Sequence, residues 1–222
     1  MPLTGFITGL ASEADCLAPH FNLTRIRIAA MRPDAAERGA RELVAAGCDL
    51  LVSFGLAGAL VASVSPGAMI VASAVATRDG DSFATDPGLS GLVRARVPGA
   101  RALPVVGSDE IVASTSDKLS LNQLTGACAV DMESHRVARI AREHGIPFVC
   151  IRAVADRCGA AIPRAAFDAI DCAGRPRVGM VLTRLAQRPW DVFGIVRLAA
   201  HSRAAHRSLR DVAPLLLDVL GR

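Results

Sequence analysis

Residues 50–77, LLVSFGLAGALVASVSPGAMIVASAVAT, carry no charged side chain. A run of this length can cross a bilayer as a helix, or supply strands that are buried on both faces. Ser53, Ser63 and Ser65 interrupt it, and Pro66-Gly67 is a turn signal. The expectation is two short strands, near 49–54 and 68–76, joined by a Gly-rich loop and a short helical turn. Continuous apolar strands of this kind belong to parallel sheets covered by helices on both sides.

The remaining segments fit that class. GFITGL (5–10), RIRIAA (25–30), LPVVGSD (103–109), ACAVDME (127–133) and IPFVCIRAVA (146–155) read as strands. Helices are expected over 35–46 behind Asp34, from Ser116, and over 134–144, where Gly145 and Pro147 stop the chain. Residues 78–100 are rich in Gly and Pro and read mostly as loop. The fold class is α/β: a three-layer αβα sandwich with a mostly parallel central sheet, followed by a helical basic tail. Two regions are expected, a body over 1–174 and a C-terminal extension over 175–222.

Composition narrows the function classes. Hydrophobic residues make up 51% of the chain, which speaks for a packed core and against disorder. Tyr is absent and aromatics are 4%, so an aromatic platform for single-stranded nucleic acid is not expected. The six cysteines are scattered, without CxxC pairs or matching His, so neither a disulfide framework nor a metal site is read from them. With no signal-peptide pattern at the start, the expected location is a reducing cytoplasm. Lys118 is the only lysine, and its isolation reads as a codon-usage trait rather than a functional one. From Arg175 to Arg222 there are nine Arg against three Asp, so the tail is basic and the body slightly acidic.

Three acids fall at or just past strand ends: Glu13, Glu133 and Asp156. In sheets of this class, ligands collect at the carboxyl ends of the strands. A buried carboxyl there keeps its proton to higher pH and can act as an acid near neutrality. A helix cap or a surface loop acid is the plain alternative for each.

VDMES (130–134), followed after a helix by GIPFVCIRAVAD (145–156), resembles the purine nucleoside phosphorylase and nucleosidase superfamily. The pattern is closest to the methylthioadenosine/S-adenosylhomocysteine nucleosidases. SFGLAGAL (53–60), SPGAMIVAS (65–73) and ITGLASEA (7–14) are similar to that family's Gly-rich loop, next strand and N-terminal acidic helix start. The Pro-Trp-containing basic tail resembles the C-terminal extension of the hopanoid-associated members, implicated in removing adenine from adenosylhopane. A nucleoside phosphorylase-like fold follows from this resemblance, as does cleavage of a purine N-glycosidic bond without metal or organic cofactor.

By the same resemblance, Asp156 is the acid at the base, Glu13 the water-directing base, and Glu133 and Met132 the ribose contacts. Val112 stands where the family reads the adenine edge with backbone groups, and Ile111 where an aromatic packs on the base. Gly55 and Leu56 belong to the Gly-rich segment, where Leu replaces the Ser that helps hold phosphate or the attacking water. That replacement, and Ser53 at a position where phosphorylases place an Arg, favour hydrolysis over phosphorolysis. AAMRPD replaces the family's Ser-Gly-x-Gly stretch at the pocket rim. The implied partners are a nucleoside or adenosylated lipid and a second subunit in a homodimer, with no nucleic acid.

The tail admits two readings. It packs as helices on the body or a second subunit, or it lies on a membrane surface, with Trp190 and Phe193 inserted among its arginines. A nucleoside- or lipid-binding protein without catalysis is the rival of another class. A dinucleotide-dependent oxidoreductase is disfavoured because FGLAGAL lacks GxGxxG spacing.

Overall fold

The uncharged run forms two long strands, β3 (Leu50–Ala59) and β4 (Met69–Thr77), with a turn at Pro66-Gly67. The computed structural model describes residues 3–163, 170–177, 179–180, 183 and 192–221. The remaining strands are β1 (Thr4–Thr8), β2 (Ile26–Ile28), β5 (Ser82–Ala84), β6 (Arg101–Gly107), β7 (Ala129–Asp131) and β8 (Phe148–Asp156). The helices are α1 (Ala11–Leu17), α2 (Pro33–Ala45), α3 (Pro87–Arg96), α4 (Thr115–Thr125), α5 (Ser134–His144), α6 (Val192–Val212) and α7 (Leu217–Leu220). None of the described helices is long and apolar enough to cross a membrane.

All eight strands join one sheet. Five of their eight pairings are parallel, so the expected α/β architecture with a mostly parallel sheet is what forms. The antiparallel pairings are β3–β7, β4–β5 and β4–β8. Together they add a feature the sequence does not display: β3, β8, β4, β6 and β7 pair in a closed circuit, a distorted barrel within the sheet.

Strand alternation sorts the core into two sides. Leu50, Val52 and Phe54 of β3, with Val149 and Ile151 of β8, face a cluster that includes Leu17 of α1, Val93 of α3 and Leu209 of α6. Leu51, with Phe148 and Cys150, faces the opposite cluster, which holds Ala40 and Leu43 of α2 and Val137 and Ile140 of α5. Helices therefore cover both faces, as a three-layer arrangement requires.

Local chemistry sets the helix ends. In α2, Pro33 occupies the first turn and Gly47, at φ +91°, follows the end, while Ala36, Ala40 and Leu43 form the buried stripe. α5 stops at Gly145, which is left-handed as expected. α4 begins at Thr115, one residue before the expected Ser116, and is capped by Ser114, whose hydroxyl accepts from the Asp117 N–H. Residues 78–100 are more ordered than the reading as loop. Asp86 caps α3 by accepting from Leu89 N–H, Pro87 opens it, and Val93 anchors it despite Gly88 and Gly91.

The C-terminal segment is part of the core. Ala205, Leu209, Val212, Ala213, Leu216 and Leu220 are buried against the sheet, and Thr4 of β1 donates its hydroxyl to the Leu220 carbonyl. Val192, Phe193 and Val196, at the start of α6, are exposed. Arg184, Leu185, Arg188 and Trp190 lie outside the described residues.

Leu51 sits in the strand that pairs with β1, β7 and β8, and it has no accessible surface. Leu51→Ala is expected to destabilise the protein by about 2–5 kcal/mol, from lost transfer energy plus the residual cavity. Urea unfolding of the two proteins measures this; a change below 1 kcal/mol, on the order of a surface substitution, would mean that this strand is not the centre of the core.

Candidate active site

The three carboxylates singled out in the sequence meet. Glu13, Glu133 and Asp156 line one cavity of about 240 Å³. Each arrives from a different element. Glu13 comes from the first turn of α1, just after β1; Glu133 follows β7; Asp156 is the last residue of β8. The cavity thus opens where those strands end, the position expected for a ligand site in this architecture.

The Glu13 side chain folds back over the start of its own helix. Its carboxylate accepts from the backbone N–H groups of Gly9 (2.7 Å) and Leu10 (2.9 Å), and from Leu56 of β3 (2.9 Å). Burial pushes its pKa up, while these N–H groups and the nearby Arg152 pull the other way. Gly55 allows the approach: a Cβ there would lie 2.6 Å from the Glu13 carboxylate. Gly55 therefore sits behind Glu13 rather than on the cavity wall, which Leu56, Ala57 and Gly58 supply. The Gly-rich segment expected as a loop is strand instead, continuing β3 to Ala59.

Glu133 is fixed through its neighbour Asp131. One Asp131 oxygen accepts from the N–H groups of Glu133 and Ser134, at 2.8 and 2.7 Å, which starts α5. The other accepts from Arg152 Nε at 3.0 Å, and Arg152 also donates to the Ser53 hydroxyl at 2.6 Å. Burial alone would push the Asp131 carboxyl up. The Arg152 guanidinium and the N–H donors outweigh it and hold the group below the ordinary carboxylate range. Glu133 has the opposite balance: burial, and then the Asp131 charge, push it up to about 8.

Asp156 accepts from Ala59 N–H at 2.9 Å through one oxygen and from Lys118 Nζ at 2.8 Å through the other. Burial raises its pKa, opposed by Lys118. The register shift between Ala57 and Gly58 in the β3–β8 pairing sets Gly58 opposite Asp156, and the missing Gly58 side chain leaves room for the carboxylate.

Met132, Ile111 and Val112 also lie on the cavity wall, as does Leu56. Met31, within the AAMRPD stretch, reaches the rim; Ala30 and Met31 both have left-handed backbone, at φ +52° and +56°. Such conformations in non-Gly residues are costly and concentrate at functional sites. Leu198 and Ser202 of α6 complete the wall, so the basic tail contributes directly to the cavity. Leu198, Ser202 and Lys118 are not among the site candidates that the sequence offers, and Met31 is there only as part of AAMRPD. Of the first three, only the lysine left a signal there, as the chain's single Lys.

A family model described as "Phosphorylase superfamily" matches residues 29–186, more than half of the chain. Solved structures with the same fold include a methylthioadenosine/S-adenosylhomocysteine nucleosidase from Colwellia psychrerythraea in complex with adenine. It has a TM-score of 0.73 and 16% identity, covering 99% of this chain and 96% of that one. The corresponding nucleosidase from Helicobacter pylori, with butyl-thio-DADMe-Immucillin-A, aligns with a TM-score of 0.67 at 14% identity, covering 96% and 97% of the two chains. Futalosine hydrolase from the same organism aligns with a TM-score of 0.66 at 14% identity, covering 94% and 96%. None of the curated proteins compared with the chain matches it.

A carboxyl whose pKa rises on folding holds its proton more tightly in the folded chain. Its contribution to stability is full below its ordinary value of 4.5 and is lost as pH climbs through about 8, in the case of Glu133. Unfolding free energy is therefore expected to fall between about pH 5 and 8. Glu133→Gln, which stays neutral throughout, should flatten that fall. Urea titrations across this range at constant ionic strength read the slope; an unchanged slope would remove Glu133 as its source.

Proposed function

Because the chain belongs to the phosphorylase superfamily, we propose that it cleaves the bond between adenine and ribose in an adenosine-containing substrate, with water as the nucleophile. The observation that carries this reading is the convergence of Glu13, Glu133 and Asp156 on one cavity of about 240 Å³.

In the proposed reaction, Asp156 gives its proton to the purine at N7 as the bond between C1′ and N9 breaks, and the bonding pair leaves with the base. General acid assistance of this kind is typically worth ~10²–10⁴-fold. Glu133, protonated at neutral pH, can donate to or accept from the ribose hydroxyls, and Met132 packs against the sugar. Glu13, whose carboxylate accepts from three N–H donors, orients a water on the opposite face and accepts its proton as oxygen bonds to C1′. Val112 and Ile111 flank the base.

Water is favoured over phosphate by the cavity's electrostatics. No Lys or Arg is among the described residues that line it, while Glu13, Glu110, Asp131, Glu133 and Asp156 all do. A phosphate dianion would enter a carboxylate-lined space without a cation to meet it. Arg152 lies beneath the wall, already engaged with Asp131 and Ser53.

The finer substrate reading is an adenosylated lipid, adenosylhopane, as in the hopanoid-associated branch. Leu10, Met31, Ile162, Ile170 and Leu198 give the cavity an apolar side suited to a hydrocarbon 5′ substituent. Within this reading, residues 1–174 form the catalytic body and 175–222 an extension that closes the cavity. The exposed Val192, Phe193 and Val196 would touch the inner membrane surface from the cytoplasm. A homodimer requiring no metal or organic cofactor completes the proposal.

The deciding assay is adenine release from adenosines bearing small polar, small apolar and long hydrocarbon 5′ groups, run with and without phosphate. Phosphate-independent release that favours the hydrocarbon is expected. Release that depends on phosphate would establish phosphorolysis, and absence of release from every compound would favour a binding protein. Asp156→Asn should lower kcat by more than ~10²-fold with the fold retained; near-normal turnover would remove Asp156 as the acid.

A further inference from the structure

Lys118 is the one lysine of the chain, and it is buried, with 1% of its surface accessible. It stands in the first turn of α4, an otherwise polar helix start. An ammonium has three protons to donate and cannot be buried cheaply without three acceptors. Lys118 has them: Asp156 Oδ2 at 2.8 Å, the Arg157 carbonyl at 3.0 Å and the Ala160 carbonyl at 3.1 Å. All three acceptors belong to the end of β8 and the loop just after it. That loop is tied again to the same region by the Ile162 N–H, which donates to the Ala113 carbonyl at 2.9 Å. These contacts suit Asp156 as a carboxylate, the form it takes once its proton has left.

We propose that Lys118 is a positioning residue for the glycosidic reaction, which stabilises the carboxylate that Asp156 becomes as its proton passes to the purine. The inference rests on the function proposed above. Electrons and protons balance without Lys118 changing state. The C1′–N9 pair withdraws into the base, N7 takes the Asp156 proton, and the ammonium keeps its own three protons while offsetting the new negative charge. Burial raises the Asp156 pKa and Lys118 opposes that rise, so the proton is easier to surrender than burial alone would make it. A cation aimed at the point where charge develops, inside a water-poor site, is an effective catalytic arrangement.

Other groups face Asp156 and bear on its titration. Arg157 follows it in the chain. His201 and Arg197 approach from α6, and Glu13 and Glu133 line the cavity with it. Ala59 N–H supplies the second hydrogen bond. Among the described residues Lys118 alone places a cation in direct contact with the carboxylate.

The test titrates Asp156 directly. Protein labelled with isotopic aspartate is followed by carboxyl NMR, the Asp156 signal being assigned by its loss in Asp156→Asn. In Lys118→Met the Asp156 titration should move up by roughly 1–3 pH units, the effect of removing an adjacent opposite charge. The basic limb of kcat against pH should move the same way while its plateau falls about 10²-fold, because the acid is more often protonated but weaker. Lys118→Arg should restore the position of the limb. A purely structural lysine predicts a changed stability with the titration and the limb unmoved, and that result in folded Lys118→Met overturns the proposal. If Lys118→Met does not fold, Lys118→Gln and Lys118→Arg decide it: Gln should raise the titration and Arg should not, and equal behaviour of the two overturns it. If the titration moves but wild-type protein releases no adenine, the ion pair stands and the catalytic reading beneath it falls.

Discussion

A guanidinium sealed inside a sheet dictates much of the rest of this structure. Arg152 of β8 is 1% exposed, and its burial is tolerable only because each side of it is answered. Asp131 at the end of β7 takes Nε, the Ser53 hydroxyl of β3 takes one terminal nitrogen, and the Ile151 carbonyl takes the other. Three strands of the closed circuit are therefore held in one register by a single side chain. The consequence reaches the cavity through Asp131, whose second oxygen gathers the N–H groups of Glu133 and Ser134. The start of α5 and the placement of Glu133 are both fixed there. The same positive charge lies beneath Glu13 and Glu133 and moderates the repulsion between them.

Close approach of backbone to carboxylate is the second constraint, and glycine is what permits it. At Gly55 and Gly58 the chain presents no Cβ, and the space is occupied by the carboxylates of Glu13 and Asp156. The adjacent N–H groups of Leu56 and Ala59 then point at those same carboxylates at 2.9 Å. One strand thus serves as core on its Leu50–Phe54 side and as a hydrogen-bonding wall at its other end. The glycines are needed for the approach rather than for a loop conformation, so β3 continues through them.

This difference shows what the sequence displays and what it hides. Asp156 and Glu133 were legible because each ends a continuous apolar strand, where an acid is conspicuous. Glu13 was legible from the strand-then-acid pattern at the N-terminus. Lys118 was not, because a lone lysine in an arginine-rich chain reads as a codon-usage trait. Its burial is decided by the loop after β8, almost forty residues on in the chain. Leu198 and Ser202 were hidden for the same reason: their role depends on where α6 packs, which local periodicity cannot reveal. The closed circuit of strands depends on pairings between β7 and β3 and between β8 and β4, and tertiary contacts decide those. α3 was obscured by Gly88 and Gly91, whose low helix propensity was outweighed by the Asp86 cap, Pro87 and the burial of Val93.

The cavity gains its chemical range from treating like groups differently. Three carboxyls share one wall, and with equal surroundings they would titrate together, leaving no acid and no base at a given pH. Their surroundings are not equal. Burial raises all three, but the opposing contacts differ: three N–H donors pull Glu13 back, the Asp131 charge pushes Glu133 further up to about 8, and the Lys118 ammonium pulls Asp156 back. Divergent environments of this kind are how one fold holds a proton donor and a proton acceptor side by side near neutral pH. The divergence also explains why no cation is needed on the cavity wall itself. Arg152 and Lys118 act from behind it, each touching a carboxylate through its outer side and leaving the inner surface free for a neutral ligand.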